Sequence, residues 1–226
     1  MLTVSTPDRY DVRVRAVPRK SARTRPRPYH HGDLRRALLE EAVRTIREEG
    51  VEALTLRAAG ERLGVSRTAL YRHFTDKAAL LAGVAREGFQ RFRQDLADAW
   101  ERAGGGREGF AEMGLAYVRF ALANQSHYRV MFGAYSELCA KDPQLEADGA
   151  AAFQVLVDAL RSLQRSGEIV EQDPHQLGAY VWATVHGIAM LAIDGQLGRD
   201  PSAAETLYRF GLGHLQRGIA AASDSR

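Results

Sequence analysis

From residue 34 onward, apolar residues recur at three- and four-residue intervals, the period of a helix with one buried face. Leu34, Ala37, Leu38, Ala42 and Ile46 form the first stripe, with Asp33 placed as an N-cap and Gly50 as the stop. Leu56, Ala59 and Leu63 form the second, opened by Thr55 and ended by Gly64-Val65. Ser66 suits the N-cap of a short third helix from 67 to about 73. Asp76 caps a long fourth helix, carried by Leu80, Leu81, Val84, Phe89, Phe92, Leu96 and Trp100 to Gly104-Gly105-Gly106. Further helices are expected over 108–124, 126–135, 143–166, 174–197 and 201–221, the last three opened by Pro143, Pro174 and Pro201. Proline is tolerated in a first turn because its missing N–H has no helical partner there. No alternating β-type run competes and no repeat of 20–50 residues is present, so the fold class is all-α.

Residues 55–74 combine two short helices across a tight, Gly-containing turn. This unit can set its second helix in the major groove of DNA. Leu56, Ala59 and Leu63 face the core, and Val65, Leu70 and Phe74 clamp the second helix onto the first. Ala59 and Gly60 are small where the helices cross, and Gly64 can take the left-handed conformation that ends the first. The outward set is Ser66, Arg67, Thr68, Tyr71 and Arg72. An arginine there can read guanine O6 and N7 bidentately. The hydroxyls of Thr55, Ser66, Thr68 and Tyr71 can donate to phosphates, and Lys77 is a further phosphate candidate.

Charge sharpens this picture. Residues 1–31 carry eight Arg or Lys against two Asp, a net +6; residues 32–81 carry nine against eight, a net +1; the remainder carries fourteen against eighteen, a net −4. The positive end points to a polyanion partner for the N-terminal third. Residues 1–28, with four prolines and little periodicity, are expected to form a flexible basic arm or an extension of no defined role. The composition, 45% hydrophobic and 26% charged, is that of a soluble globular chain. No apolar stretch is expected to span a bilayer, no secretory signal is visible, and the lone Cys139 suits a reducing cytoplasm.

The string Thr55…Gly64-Val65-Ser66…Leu70-Tyr71-Arg72-His73-Phe74…Lys77…Leu80-Leu81 resembles the N-terminal signature of TetR-family repressors, and Tyr29-His30-His31-Gly32-Asp33-Leu34 resembles a run found in one branch of that family. The resemblance covers about residues 29–82. It implies a dimeric, nine- or ten-helix protein with three DNA-binding helices followed by a ligand-binding and dimerisation part, here 83–226. It also implies phosphate contacts by Thr55, Tyr71, His73 and Lys77, and base contacts by Arg67 and Thr68. Thr68 is a departure, since the family often has Gly there. Read from the chain itself, a lone His such as His73 before a core Phe is more often structural than chemical.

Trp182-Ala-Thr-Val-His186-Gly187 resembles a Trp…His-Gly element of one class of C-terminal domains in the same family. Trp182, His186, Ala189, Met190 and Ile193 share one helical face, and Leu207, Phe210, Gly211, His214 and Leu215 form a similar stripe in the last helix. Two such helices suit a four-helix interface between two copies, or burial within one subunit. Tyr117, Phe120, Met131, Phe132, Tyr135, Phe153, Trp182 and His186 offer an apolar lining with a few polar tips, the usual chemistry of a small-molecule site and also of plain core. His186, in an apolar helix, needs a polar partner. The binding candidates are Tyr117, Phe120, Phe132, Trp182 and His186.

Catalysis finds no support. There is no His-x-x-x-His, Cys-x-x-Cys or Gly-x-Ser-x-Gly, and Gly104-Gly105-Gly106 is followed by Arg107-Glu108 rather than the Lys-Ser/Thr of a phosphate loop. No cofactor or metal is expected. The expected function is a cytoplasmic, DNA-binding transcriptional regulator, a repressor released from its operator by a small-molecule effector. Its partners are operator DNA, a second copy and that effector.

Overall fold

In a computed structural model, residues 34–133, 142–198, 200 and 202–220 are described. The basic arm, the 29–33 run, Tyr135 and Cys139 lie outside the described residues. Among those described are nine helices: α1 (Leu34–Glu49), α2 (Leu56–Leu63), α3 (Arg67–Tyr71), α4 (Lys77–Arg102), α5 (Gly106–Ala123), α6 (Gln125–Phe132), α7 (Pro143–Arg165), α8 (Pro174–Ile193) and α9 (Ser202–Ile219). The all-α expectation holds; β structure among the described residues amounts to one bridge between Ile169 and Ala220.

The helix starts follow from capping. The side chains of Thr55, Ser66 and Asp76 accept from the backbone N–H of Ala58, Ala69 and Ala79 at 3.1, 3.3 and 2.8 Å. Each satisfies a donor that a helix leaves without an internal partner. Asp142 and Asp173 do the same just ahead of Pro143 and Pro174, where proline occupies the first turn.

α4 is the longest helix and packs against α1, α5, α6 and α7. One apolar cluster runs from Leu38 of α1 through Leu80, Leu81 and Val84 to Phe92, Leu96, Tyr117 and Tyr128. The expected boundary between residues 82 and 83 falls inside α4, and the core crosses it without a break. A smaller cluster of Phe110, Leu160, Leu163, Ile169, Leu177, Val181 and Ile219 is centred on α5, α7, α8 and α9. Polar ties fix the elements further. Glu41 of α1 is buried, and it is paired with Arg44, with Thr45 at 3.3 Å and with Arg62 of α2 at 3.3 Å. A buried carboxylate is tolerated only with such partners.

One helix is apolar over a greater length than the sequence reading allowed. α8 runs 20 residues without a charged side chain, with a mean hydropathy of 1.3, and so meets the length and composition of a bilayer span. Gly178 and Gly187 interrupt its apolar run in the sequence without lowering the average enough. In the fold, Leu177, Val181, Val185, Ile188 and Ile193 of this helix are buried, and α8 packs against α5, α7 and α9.

Leu81→Ala deletes a fully buried side chain of the shared cluster and should cost about 2–5 kcal/mol. Because both tryptophans, Trp100 and Trp182, lie beyond residue 82, urea unfolding followed by tryptophan emission should show the same shifted midpoint as circular dichroism. An unmoved emission midpoint would mean that residues 34–82 unfold on their own.

Candidate nucleic-acid interface and ligand cavity

The α2–turn–α3 unit is built as its residues dictate. Gly64 has φ 68° and ψ 27°, a left-handed conformation that costs a glycine little. Its N–H donates to the Glu61 carbonyl, and that of Val65 to the Gly60 carbonyl at 3.0 Å. Gly60 lies where α3 crosses α2: a Cβ there would stand 3.2 Å from Leu70 Cδ2. Leu70 and Phe74 are buried and hold α3 down, whereas Leu63 and Val65 are half-buried at the rim of the contact.

This anchoring leaves Ser66, Arg67, Thr68, Tyr71 and Arg72 exposed, with Tyr71 at 44%. The Arg67 guanidinium lies over the Tyr71 ring at 5.6 Å from its centroid, so the two share one surface one helical turn apart. Thr55 and Ser66 use their hydroxyl oxygens as cap acceptors, which leaves each hydroxyl hydrogen free to donate outward. His73 is half-buried. Lys77 has a role that sequence reasoning missed. Its Nζ donates to the carbonyls of Val51 at 2.8 Å and Glu52 at 3.4 Å, clamping the α1–α2 link. Arg62, which ties α2 to Glu41 and to Glu49 at 2.6 Å, was also missed, because its partners lie 13 to 21 residues away.

In the larger part of the chain, residues of α4, α5, α6, α7, α8 and α9 line a cavity of about 250 Å³. Of the residues expected at a ligand site, Tyr117, Phe132 and Trp182 line it, as does Phe153. His186 and Phe120 do not. Phe120 is buried against Phe92, with ring centroids 5.0 Å apart. His186 finds the polar partner it needs: its Nδ1 lies 2.6 Å from the Tyr128 hydroxyl and 3.0 Å from that of Tyr117. The two hydroxyls are 2.9 Å apart, and Trp182 Nε1–H donates to Tyr117 at 3.1 Å. A single direction of donation satisfies the set, from Trp182 to Tyr117 to Tyr128 to a neutral His186 that accepts at Nδ1. Tyr128 was missed because Ser126-His127-Tyr128 has no distinguishing local pattern. Burial raises the Tyr117 hydroxyl to about 12, raises that of Tyr128 as well, and pushes His186 below its ordinary 6.5. All three therefore stay uncharged near neutrality. Among the described residues no cluster of His, Cys, Asp or Glu is placed to hold a metal ion.

These two regions coincide with two matches to known proteins. Residues 38–84 match the family model of bacterial regulatory proteins, tetR family, and residues 110–215 match that of the tetracyclin repressor-like C-terminal domain. The HTH-type transcriptional repressor AcnR of Corynebacterium diphtheriae is 39% identical over 64 residues, which is 28% of this chain and 34% of that protein. Tetracycline repressor protein class C of Escherichia coli is 45% identical over 51 residues, 23% of each chain. The matched stretch thus spans about a third or less of these curated relatives. A solved structure of a protein of unknown function from Rhodococcus sp. RHA1 is similar throughout, with 35% identity and a TM-score of 0.77 over 86% of this chain and 99% of that one.

The lowered His186 has a consequence for stability. Below about pH 6.5 the unfolded chain binds a proton that the folded chain resists. Stability from this group is therefore present above that pH and lost as the pH falls. Between pH 7.5 and 5.5 the wild type should lose more urea resistance than His186→Gln, which keeps an acceptor for Tyr128 without titrating. Equal losses would remove His186 as the source.

Proposed function

The chain belongs to the TetR family of bacterial regulatory proteins, and from that premise we propose that it is a sequence-specific DNA-binding transcriptional repressor, released from its operator by a small molecule. The observation that carries the reading is the α2–turn–α3 unit. Leu70 and Phe74 pin α3, and Arg67 and Tyr71 stand together on its open surface. In this reading Arg67 and Thr68 contact bases, while Thr55, Ser66, Tyr71 and His73 contact phosphates. Lys77 joins the phosphate set in this reading, from the position at which its Nζ clamps the α1–α2 link.

The operator-bound form is a homodimer. In a single chain α8 and α9 expose Tyr180 at 62%, Leu191 at 45% and Phe210 at 67%. Large apolar side chains on two neighbouring helices suit burial against a second copy. Two-fold symmetry then sets two α3 helices in successive major grooves of a pseudo-palindromic site. The cavity is the effector site, with Tyr117, Phe132 and Trp182 in its wall and His186 behind them. An effector that binds a wrongly spaced conformation about 100-fold better contributes roughly 2.7 kcal/mol toward release. The reading places the protein in the cytoplasm with DNA and assigns it no catalytic step, cofactor, metal or membrane.

Gel shifts and footprints on DNA flanking its own gene test the reading. A discrete protected site with two-fold character is expected, and purely non-specific binding at low salt in effector-free protein would sink it. On that site Tyr71→Ala should weaken binding to all sequence variants alike. Arg67→Ala should cost about 1–3 kcal/mol and relax preference at one base position. A uniform loss across operator variants for Arg67→Ala would remove it as a base reader.

A further inference from the structure

The chemistry of the cavity wall narrows what can enter. Among the described lining residues none is Asp, Glu, Lys, Arg or His. Four polar side chains reach the wall, and each has already spent its donor inside the protein. Trp182 donates to Tyr117 at 3.1 Å, and Tyr117 is held by Tyr128 at 2.9 Å and His186 at 3.0 Å. Thr184 donates to the Tyr180 carbonyl at 3.0 Å, and Tyr208 to the Ala111 carbonyl at 2.8 Å. The remaining wall is hydrocarbon and ring. A charged group brought against this wall would give up water for hydrocarbon and meet no counter-charge among the described lining residues, which disfavours an ion. His186, behind the wall, is kept neutral by burial and supplies no positive charge.

Size and shape add to this. A dry apolar cavity of about 150 Å³ admits one benzene ring. At about 250 Å³ this one has room for two fused rings. Eight of its lining side chains are aromatic, and several already pack edge-to-face. Phe89 and Phe132 have centroids 5.3 Å apart at 82°, and Phe153 and Trp182 are 6.2 Å apart at 64°. Such walls offer both faces and edges to a flat aromatic guest.

Resting on the effector reading above, we infer that the cavity selects an uncharged, apolar aromatic molecule of about two fused rings and rejects anionic and cationic molecules of the same shape. The discrimination comes from the wall rather than from a specific polar contact. It requires no change in the Tyr117–Tyr128–His186 set on binding.

The test uses the full chain and three probes of one shape: naphthalene, 2-naphthoate and 2-naphthylmethylammonium. Calorimetry and tryptophan emission are read at pH 7.5. Naphthalene should bind with one site per subunit and perturb Trp182, and each charged probe should bind at least about 100-fold more weakly. Ala152→Phe places a ring in the cavity and should reduce naphthalene binding by about tenfold or more; it is used only if its circular dichroism matches wild type. The wild-type comparison stands without it. Comparable affinity for either charged probe overturns the inference, as does a failure of all three to bind. The same probes added to protein on its footprinted operator separate the two readings. Naphthalene that binds selectively yet leaves the operator occupied would retain the cavity's selectivity and reject the effector role. Release by 2-naphthoate alone would retain the effector role and reject the selectivity.

Discussion

The fold depends on the burial of one helix in two places. Leu80, Leu81 and Val84 of α4 have no exposed surface and pack in the cluster shared with α1, while Phe92 and Leu96 are buried among α5 and its neighbours. Each such side chain is worth about 1.5–3 kcal/mol when buried. Three together rival the net stability of a whole domain, about 5–15 kcal/mol. The head formed by α1–α3 is therefore set by packing, and no flexible linker separates it from the body. Arg86 and Gln90 of α4 reinforce this by reaching Asp148 of α7 at 3.1 and 3.2 Å.

The same helix supplies the cavity wall. Phe89, Phe92 and Leu96 line the cavity. Phe89 is five residues from Val84, about 7.5 Å of helical rise. An α-helix is stiff over that length, so a guest that displaces Phe89 or Phe92 loads the turn that carries the head. This is the physical content of a coupling between cavity and head: one rigid element with a face in each, rather than a chain of small adjustments.

Local chemistry was legible in the sequence, and long-range chemistry was not. The caps at Thr55, Ser66 and Asp76, the left-handed turn at Gly64 and the small residues at the α2–α3 crossing act within one or two turns, so spacing alone exposes them. The partners of Lys77 are 25 and 26 residues away, those of Arg62 up to 21, and Tyr128 meets His186 across 58. No periodicity encodes such distances. His186 marks the boundary between the two cases. Its need for a partner followed from an imidazole in an apolar helix, but which hydroxyl met that need depended on how α5 and α6 fold against α8. Phe120 shows the converse: as an aromatic in the helix that carries Tyr117 it is grouped with the cavity, yet three residues along it is buried against Phe92 outside the lining.

α8 joins these levels. It has no charged residue, so both of its faces have to be shielded from water or left exposed at a cost. One face is spent on the core and the cavity, through Val181, Val185 and Ile188. An adjoining stripe carries Tyr180 and Leu191 outward, and Trp182, on the other flank of the buried face, is in the cavity wall yet 37% exposed. A helix with a large apolar load on both sides is stable in water only if something covers the second side. A second copy covering it would adjoin the cavity, because Thr184 of the wall shares the stripe of Tyr180 and Leu191. Occupying the cavity and adjusting the contact between copies thus act on one 20-residue rod. A shift of that rod in response to a guest in the cavity would move the outward face along with the inward one.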